Sequence, residues 1–241
     1  MNIVLFEPAE ITMPLPPQDP RAVHVQKVLR RSVGDEFDVG LIDGPRGKAQ
    51  IRSATDAGYS LEFSWSLPHA APPPTTVIIG LPRPQTARDI LRDATTLGAT
   101  GLHFVSTTRS DPNYSASSLW QSGEWRRRIV VGAAQAFATH VPSVTWTQSL
   151  RDAVATSVAS SGKIVALDNY EAAAPLARLE LPSADIPVTL LIGPERGWDA
   201  ADRALFVAQQ IPLFGLGERV LRTETATTVA LALINAARIR A

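Results

Sequence analysis

The chain contains no cysteine among its 241 residues. That absence removes disulfides, thiolate nucleophiles, iron–sulfur clusters and every cysteine-based zinc site. An excess of charge is missing too, because 23 basic residues balance 23 acidic ones. A neutral balance argues against indiscriminate coating of nucleic acid, which calls for a basic surplus, but it leaves room for a local basic face. No apolar run approaches the ~20 residues that span a bilayer. Met1–Glu7 has no basic segment leading into an apolar one, so no signal peptide is expected. The four histidines, His24, His69, His103 and His140, are scattered without metal-ligand spacing. They read as structural or surface residues, and no metal site is expected. What remains, 45% hydrophobic and 19% charged residues, is an ordinary soluble globular composition. The length suits two domains and can bury a core without metal or disulfide staples. A reducing, cytoplasmic location is the expectation.

Prolines punctuate the chain at Leu67-Pro68-His69-Ala70-Ala71-Pro72-Pro73-Pro74. Such a run fits neither a helix nor a central strand and forms a stiff spacer. It divides the sequence into residues 1–70 and 71–241. In the first part, Asp35–Ile42 alternates polar and apolar residues, turns at Asp43–Gly47 and returns at Lys48–Ile51, which reads as a β-hairpin. Ser60–Trp65 alternates again, and His24–Arg31 reads as a short helix with Val25, Val28 and Leu29 on one face. This part is expected to be a small β-barrel with one helix. Beyond the prolines, strands and helices take turns. Strands are expected at Thr75–Leu81, Leu102–Val105, Val144–Thr147, Lys163–Leu167, Val188–Ile192 and Pro212–Phe214. Helices are expected at Thr86–Leu97, Leu119–Phe137, from Ser149 towards Ser160, from Asp199 to about Gln210, and at Thr223–Arg240. Alternating β and α units imply an α/β fold with a mostly parallel sheet, whose ligands bind beyond the carboxyl ends of its strands.

Three loops in the last third carry the chemistry. Ile192-Gly193-Pro194-Glu195-Arg196-Gly197-Trp198 follows a buried-type strand and precedes the helix started by Asp199. Its glycines allow positive φ or close approach of a ligand, although a plain strand–turn–helix connection has the same shape. Gly215-Leu216-Gly217-Glu218-Arg219-Val220-Leu221 is a second glycine-rich loop, which a tight surface turn would also explain. Leu221-Arg222-Thr223-Glu224-Thr225-Ala226 opens the last helix, with Thr223 as a good N-cap and Glu224 complementing the helix dipole. Arg222 is harder to explain by packing, and its guanidinium suits a phosphate or a base edge.

Together these stretches resemble the C-terminal signature of the RsmE family, uridine-N3 methyltransferases of small-subunit ribosomal RNA within the SPOUT superfamily. His24, Val28-Leu29-Arg30, Val33-Gly34-Asp35 and Asp43-Gly44 resemble the small PUA-like barrel of that family, and Arg109-Ser110 and Gln135 with Val141-Pro142 match further motifs. The resemblance implies a PUA-like RNA-binding barrel over residues 1–70 and a SPOUT methyltransferase domain with a trefoil knot over 71–241. It also implies a homodimer and S-adenosylmethionine held in the knot loops. The implied cofactor contacts are Leu167, Ile192, Gly193, Glu195, Gly197, Leu216, Gly217, Val220, Leu221 and Thr225. Arg222, Glu195 and Glu224 are the implied catalytic residues, with either carboxylate open as the base. The partner is ribosomal RNA or the small ribosomal subunit, met by Arg30, Arg31, Arg83, Arg88 and Arg109. Arg92 and the run Arg126-Arg127-Arg128 are weaker RNA candidates, since a helical charge run is usually a solvated face.

The pattern departs from the family at Pro82-Arg83-Pro84-Gln85, where Lys-Gly is usual. Thr95-Thr96-Leu97-Gly98 lacks the family's Glu, and Ala134–Ala138 lacks its Glu and Arg. Trp198 replaces a usual Phe. These changes motivate an alternative, a divergent paralogue that holds RNA without methylating it. A dinucleotide-dependent oxidoreductase is disfavoured, because no G-x-G-x-x-G follows the first strand after the prolines.

Overall fold

The structure is a computed structural model that describes residues 3–66 and 71–241. The heart of the proline run, Leu67–Ala70, lies outside the described residues. The chain divides into two compact units, one of residues up to Ala71 with Ala133–Val141, the other of Pro72–Gly132 and Pro142–Ala241. Nothing in the periodicity marks the return of residues 133–141 to the first unit.

The first unit is a curled sheet of β1 (Val4–Phe6), β2 (Glu36–Leu41), β3 (Arg46–Thr55) and β4 (Gly58–Trp65), paired in that order. β1 runs parallel to β2, and the other pairs are antiparallel. The alternation in β2 sends Phe37 and Val39 inward to meet Val4, Phe6, Ala49 and Ile51. Helix α1 (Pro20–Lys27) adds Ala22 and Val25 to this core. It starts four residues before the expected His24 because Asp19 accepts a hydrogen bond from the Arg21 N–H at 2.8 Å and Pro20 pre-sets the first turn. It also ends sooner than expected. Arg30 turns to φ 54°, and Val28, expected on the buried face, is exposed. Residues 133–141 are stitched to the hairpin turn: the Asp43 N–H donates to Thr139 O at 2.9 Å, and the Thr139 hydroxyl to Gly44 O at 2.7 Å. His140 Nδ1 lies 3.0 Å from the Asp43 carboxylate, and the Arg46 guanidinium sits over the Phe137 ring.

The second unit is a seven-stranded parallel sheet in the order β7-β6-β5-β10-β8-β11-β9. Its strands are β5 (Thr75–Gly80), β6 (Gly101–Ser106), β7 (Ser143–Ser149), β8 (Lys163–Leu167), β9 (Ala174–Pro175), β10 (Val188–Ile192) and β11 (Leu213–Gly215). The central strands β5, β8 and β10 are near-continuous apolar runs, as burial on both faces demands. The helices are α2 (Pro84–Thr96), α3 (Ser118–Gln121), α4 (Glu124–Gln135), α5 (Leu150–Ala159), α6 (Ala200–Ala208) and α7 (Thr223–Arg240). The single helix expected over Leu119–Phe137 is two helices, because Gly123 adopts φ +72° between α3 and α4 and Phe137 ends the run at φ 56°. One core cluster joins Ile78, Val105, Leu191, Trp198 and Phe206, so the first turn beyond β10 is itself part of the core. Arg238, near the end of α7, donates to the carbonyls of Ala184, Ile186 and Pro74 and to the Thr75 hydroxyl. That clamp ties the last helix to the start of β5.

Candidate active site

A cleft of about 400 Å³ opens at the carboxyl ends of β8, β10 and β11. Three chain segments form it. The first is the loop after β10. Gly197 takes φ +68°, and its N–H donates to Pro194 O at 2.8 Å, which folds the loop back on itself. A Cβ at Gly193 would stand 3.1 Å from Gly197 Cα, so the two strands of the loop approach as closely as glycine permits. Gly80 serves the same loop from β5, since a Cβ there would lie 2.3 Å from Pro194 Cδ. Trp198 is buried edge-on against Phe206, with ring centroids 5.0 Å apart. Its indole N–H donates to Leu167 O at 2.9 Å and so fastens this loop to the end of β8. Asp199 and Asp202 then form a reciprocal capping box that starts α6. The Thr108 hydroxyl and the Asp202 N–H both donate to Asp199, which holds its carboxyl below the usual range, while burial pushes Asp202 up.

The second segment follows β8. The buried Asp168 carboxylate accepts the N–H groups of Tyr170 at 2.6 Å and Glu171 at 2.8 Å, and the Arg203 guanidinium at 2.9 Å. Arg203 lies over the Tyr170 ring, 5.7 Å from its centroid. Asp168, Asn169, Tyr170 and Arg203 all line the cleft. None of them was singled out in the sequence. The available signal was an acidic residue directly after an apolar strand, at the edge where α/β sheets bind ligands.

The third segment is the loop after β11 and the start of α7. Gly217 takes φ +113°, with open space where a Cβ would project. The main-chain groups of Leu216, Gly217 and Leu221 make no hydrogen bond among the described residues, so their donors and acceptors are available to a ligand. Helix α7 is capped by Arg222, not by the expected Thr223, which is buried inside the first turn.

Of the sequence-derived cofactor residues, Leu167, Ile192, Gly193, Glu195, Gly197, Leu216, Val220 and Leu221 line the cleft. Gly217 and Thr225 do not: Gly217 shapes the loop through its backbone, and Thr225 is exposed on α7. Arg222, Glu195 and Glu224 meet at the same cleft, as does Arg83. The Arg83 N–H donates to Glu195 Oε1 at 3.0 Å. The Arg88 Nε and Nη2 both donate to Glu124, at 2.8 and 2.9 Å. Arg30 and Arg31 are exposed on the first unit. Among the described residues, no group of three or more His, Asp or Glu side chains could hold a metal ion, and no helix is long and apolar enough to cross a membrane.

A parallel sheet whose carboxyl edge carries glycine-bent loops around a cleft defines an α/β domain built to hold an organic ligand. A family profile described as an RNA methyltransferase domain matches residues 69–235. Ribosomal RNA small subunit methyltransferase E of Treponema pallidum (strain Nichols) is 33% identical over 97% of this chain and 90% of its own length. The protein of the same name from Synechocystis sp. is 31% identical, covering 88% of this chain and 70% of its own length. Among solved structures, ribosomal RNA small subunit methyltransferase E from Neisseria gonorrhoeae, bound to S-adenosyl methionine, superposes with a TM-score of 0.76 at 20% identity over 97% of both chains. A probable rRNA-methyltransferase from Porphyromonas gingivalis superposes with a TM-score of 0.78 at 18% identity over 99% of both chains. The chain belongs to the RsmE family of ribosomal RNA small subunit methyltransferases. Its two sheets, a small PUA-like curled one and a SPOUT-type parallel one, are those the sequence resemblance implied.

Proposed function

We propose that this protein transfers a methyl group from S-adenosylmethionine to N3 of a uridine in small-subunit ribosomal RNA, working in the cytoplasm as a homodimer with a knotted catalytic domain. The observation that carries the reading is the cleft, where glycine-bent loops present unpaired main-chain groups beside Glu195, Glu224 and Arg222. The residues present fit the cofactor. Its volume of about 400 Å³ lies within the range of small-molecule sites. The unpaired groups of Leu216, Gly217 and Leu221 suit the polar edge of an adenine, and Ile192, Leu216 and Val220 supply apolar walls. When bound, S-adenosylmethionine supplies an electrophilic sulfonium methyl.

The chain's own residues do the rest. N3 of a neutral uracil carries a proton that must leave as the methyl arrives. Glu195 is the better placed acceptor, because Arg83 N–H fixes its Oε1 and leaves Oε2 free at the cleft edge. Arg222 stabilises the negative charge that develops on the uracil carbonyl oxygens. Glu224, in the first turn of α7, complements the helix dipole and lines the same cleft as Arg222. Positioning the methyl and the nitrogen in line supplies much of the rate. Arg30, Arg31, Arg83 and Arg109 offer phosphate contacts that orient RNA without reading its sequence.

The test is nucleoside mass spectrometry of small-subunit ribosomal RNA from cells with and without this protein. A N3-methyluridine peak that disappears with the protein and returns on complementation supports the reading. An unchanged profile, together with no calorimetric binding of S-adenosylmethionine, rejects it.

A further inference from the structure

A second cleft, about 670 Å³, adjoins the first within the same unit and shares Arg83, Glu195 and Arg196 with it. Its far wall is the loop Thr108–Tyr114 between β6 and α3. The loop is braced from both ends. The Thr108 hydroxyl donates to the Asp199 carboxylate at the start of α6, and Arg109 Nη1 donates to Arg196 O at 2.6 Å. At its other end Asp111 accepts the Asn113 N–H at 2.9 Å, and Tyr114 O accepts the Trp120 indole N–H at 3.0 Å. The cavity is therefore held by contacts to the same helix start that carries the first cleft.

Its lining carries a basic excess of one: Arg83, Arg109 and Arg196, all exposed, against Glu195 and Asp111. Glu195 accepts the Arg83 N–H and lies 3.8 Å from the Arg83 Nε, and neither Arg109 nor Arg196 makes an ion pair among the described residues. The Arg196 side chain makes no hydrogen bond or ion pair among the described residues, and Arg109 spends only one of its donors, on a neutral carbonyl. Guanidinium groups left with free donors in a concave site select an anion, and their planar fork matches phosphate.

We propose that this second cleft is the seat of the accepting nucleotide: its phosphate is held by Arg109 and Arg196, and its base passes Glu195 into the first cleft. The inference rests on the methyltransferase reading and assigns it a substrate subsite. It explains why Glu195 stands on the shared rim, where a carboxylate reaches both the entering base and the methyl-donor cleft. It also gives the loop Thr108–Tyr114 a role, since the loop contributes nothing to the first cleft.

The experiment compares the wild type with Arg196→Gln and Arg109→Gln. Affinity for deproteinised small-subunit ribosomal RNA is measured by filter binding across a salt series, and affinity for S-adenosylmethionine by calorimetry. Arg196→Gln removes a side chain with no internal partner, so it leaves the fold alone, while Arg109→Gln tests the same site from the other wall. Each variant is expected to weaken RNA binding about ten-fold and to lower the salt slope by about one phosphate, and Arg109→Gln, which lies outside the first cleft, to do so at unchanged cofactor affinity. RNA affinity and salt slope equal to the wild type in both variants overturn the proposal, as does a loss of cofactor affinity in step with RNA affinity in Arg109→Gln. If the wild type binds RNA and loses one phosphate contact per variant but never methylates, the activity reading fails and the subsite stands.

Discussion

Removing the Asp168 carboxylate tests how the cleft is held open. Asp168 is buried at the end of β8, where one oxygen accepts two backbone N–H groups and the other accepts Arg203. Asp168→Asn keeps an oxygen for the Tyr170 and Glu171 N–H groups but turns an amide donor towards the guanidinium. The loss is one charge-assisted hydrogen bond, about 1.5–3 kcal/mol. Asp168→Ala strips all three bonds, leaves the backbone donors without an acceptor and opens a small void. Breaking a buried pair in this way costs about 3–5 kcal/mol. Glu171 lies 3.5 Å from Arg203 and is half-exposed, so it recovers only part of that loss. Urea denaturation of the purified variants measures the two costs, and calorimetry with S-adenosylmethionine reads the cleft. The order wild type, Asn, Ala is expected in both stability and cofactor affinity, because Tyr170 and Arg203 line the cleft and lose their anchor together. If Asn is as stable as the wild type, or Ala no worse than Asn, the carboxylate does not organise this loop and the reasoning fails.

Further predictions follow from the same geometry. Gly217→Ala is expected to cost about 1–2 kcal/mol through its φ of +113° and to weaken cofactor binding, whereas Gly34→Ala, at φ +95° in the other unit, should strain the backbone without touching cofactor affinity. Paired denaturation and calorimetry separate the two, and equal effects on affinity would refute the local role of Gly217. Glu124 is held at a pKa of about 2 by the side-chain hydrogen bonds of Arg88 and Arg128, below the ordinary value of 4.5. A depressed carboxylate contributes stability that is complete above the ordinary value and fades as pH falls towards 2. Glu124→Gln should therefore flatten the melting temperature of the protein between about pH 4.5 and 2, and an unchanged acid limb would refute it. Replacing Arg238 by Leu leaves four acceptors without their donor and is expected to destabilise the second unit by about 3 kcal/mol or more, read by hydrogen exchange at the amides of β5; wild-type protection there would contradict the clamp.

Some of this molecule was written in local patterns. The apolar run Val188–Ile192 and the strand Lys163–Leu167 appear at the expected bounds, because continuous burial on both faces leaves no other reading. The glycines at 193, 197 and 217 were legible as loop-formers because positive φ and close approach are properties of one residue type. The break of the long helix at Gly123 was not, since an isolated glycine inside a helical pattern is often tolerated. Val28 is exposed because α1 ends at Lys27, four residues before the expected end at Arg31.

Composition excluded thiol and disulfide chemistry, and the spacing of the loops in the last third singled out where a ligand would be met. Which residues share that ligand was decided only by folding. Asp168 and Arg203 stand 35 residues apart in the chain, and Trp198 and Leu167 stand 31 apart, yet each pair forms one hydrogen-bonded contact. Arg88 and Glu124, 36 residues apart, are joined in the same way. A residue's type and local pattern set what it can do, but the strand order that places β10 between β5 and β8 fixes which distant side chains come within hydrogen-bond reach.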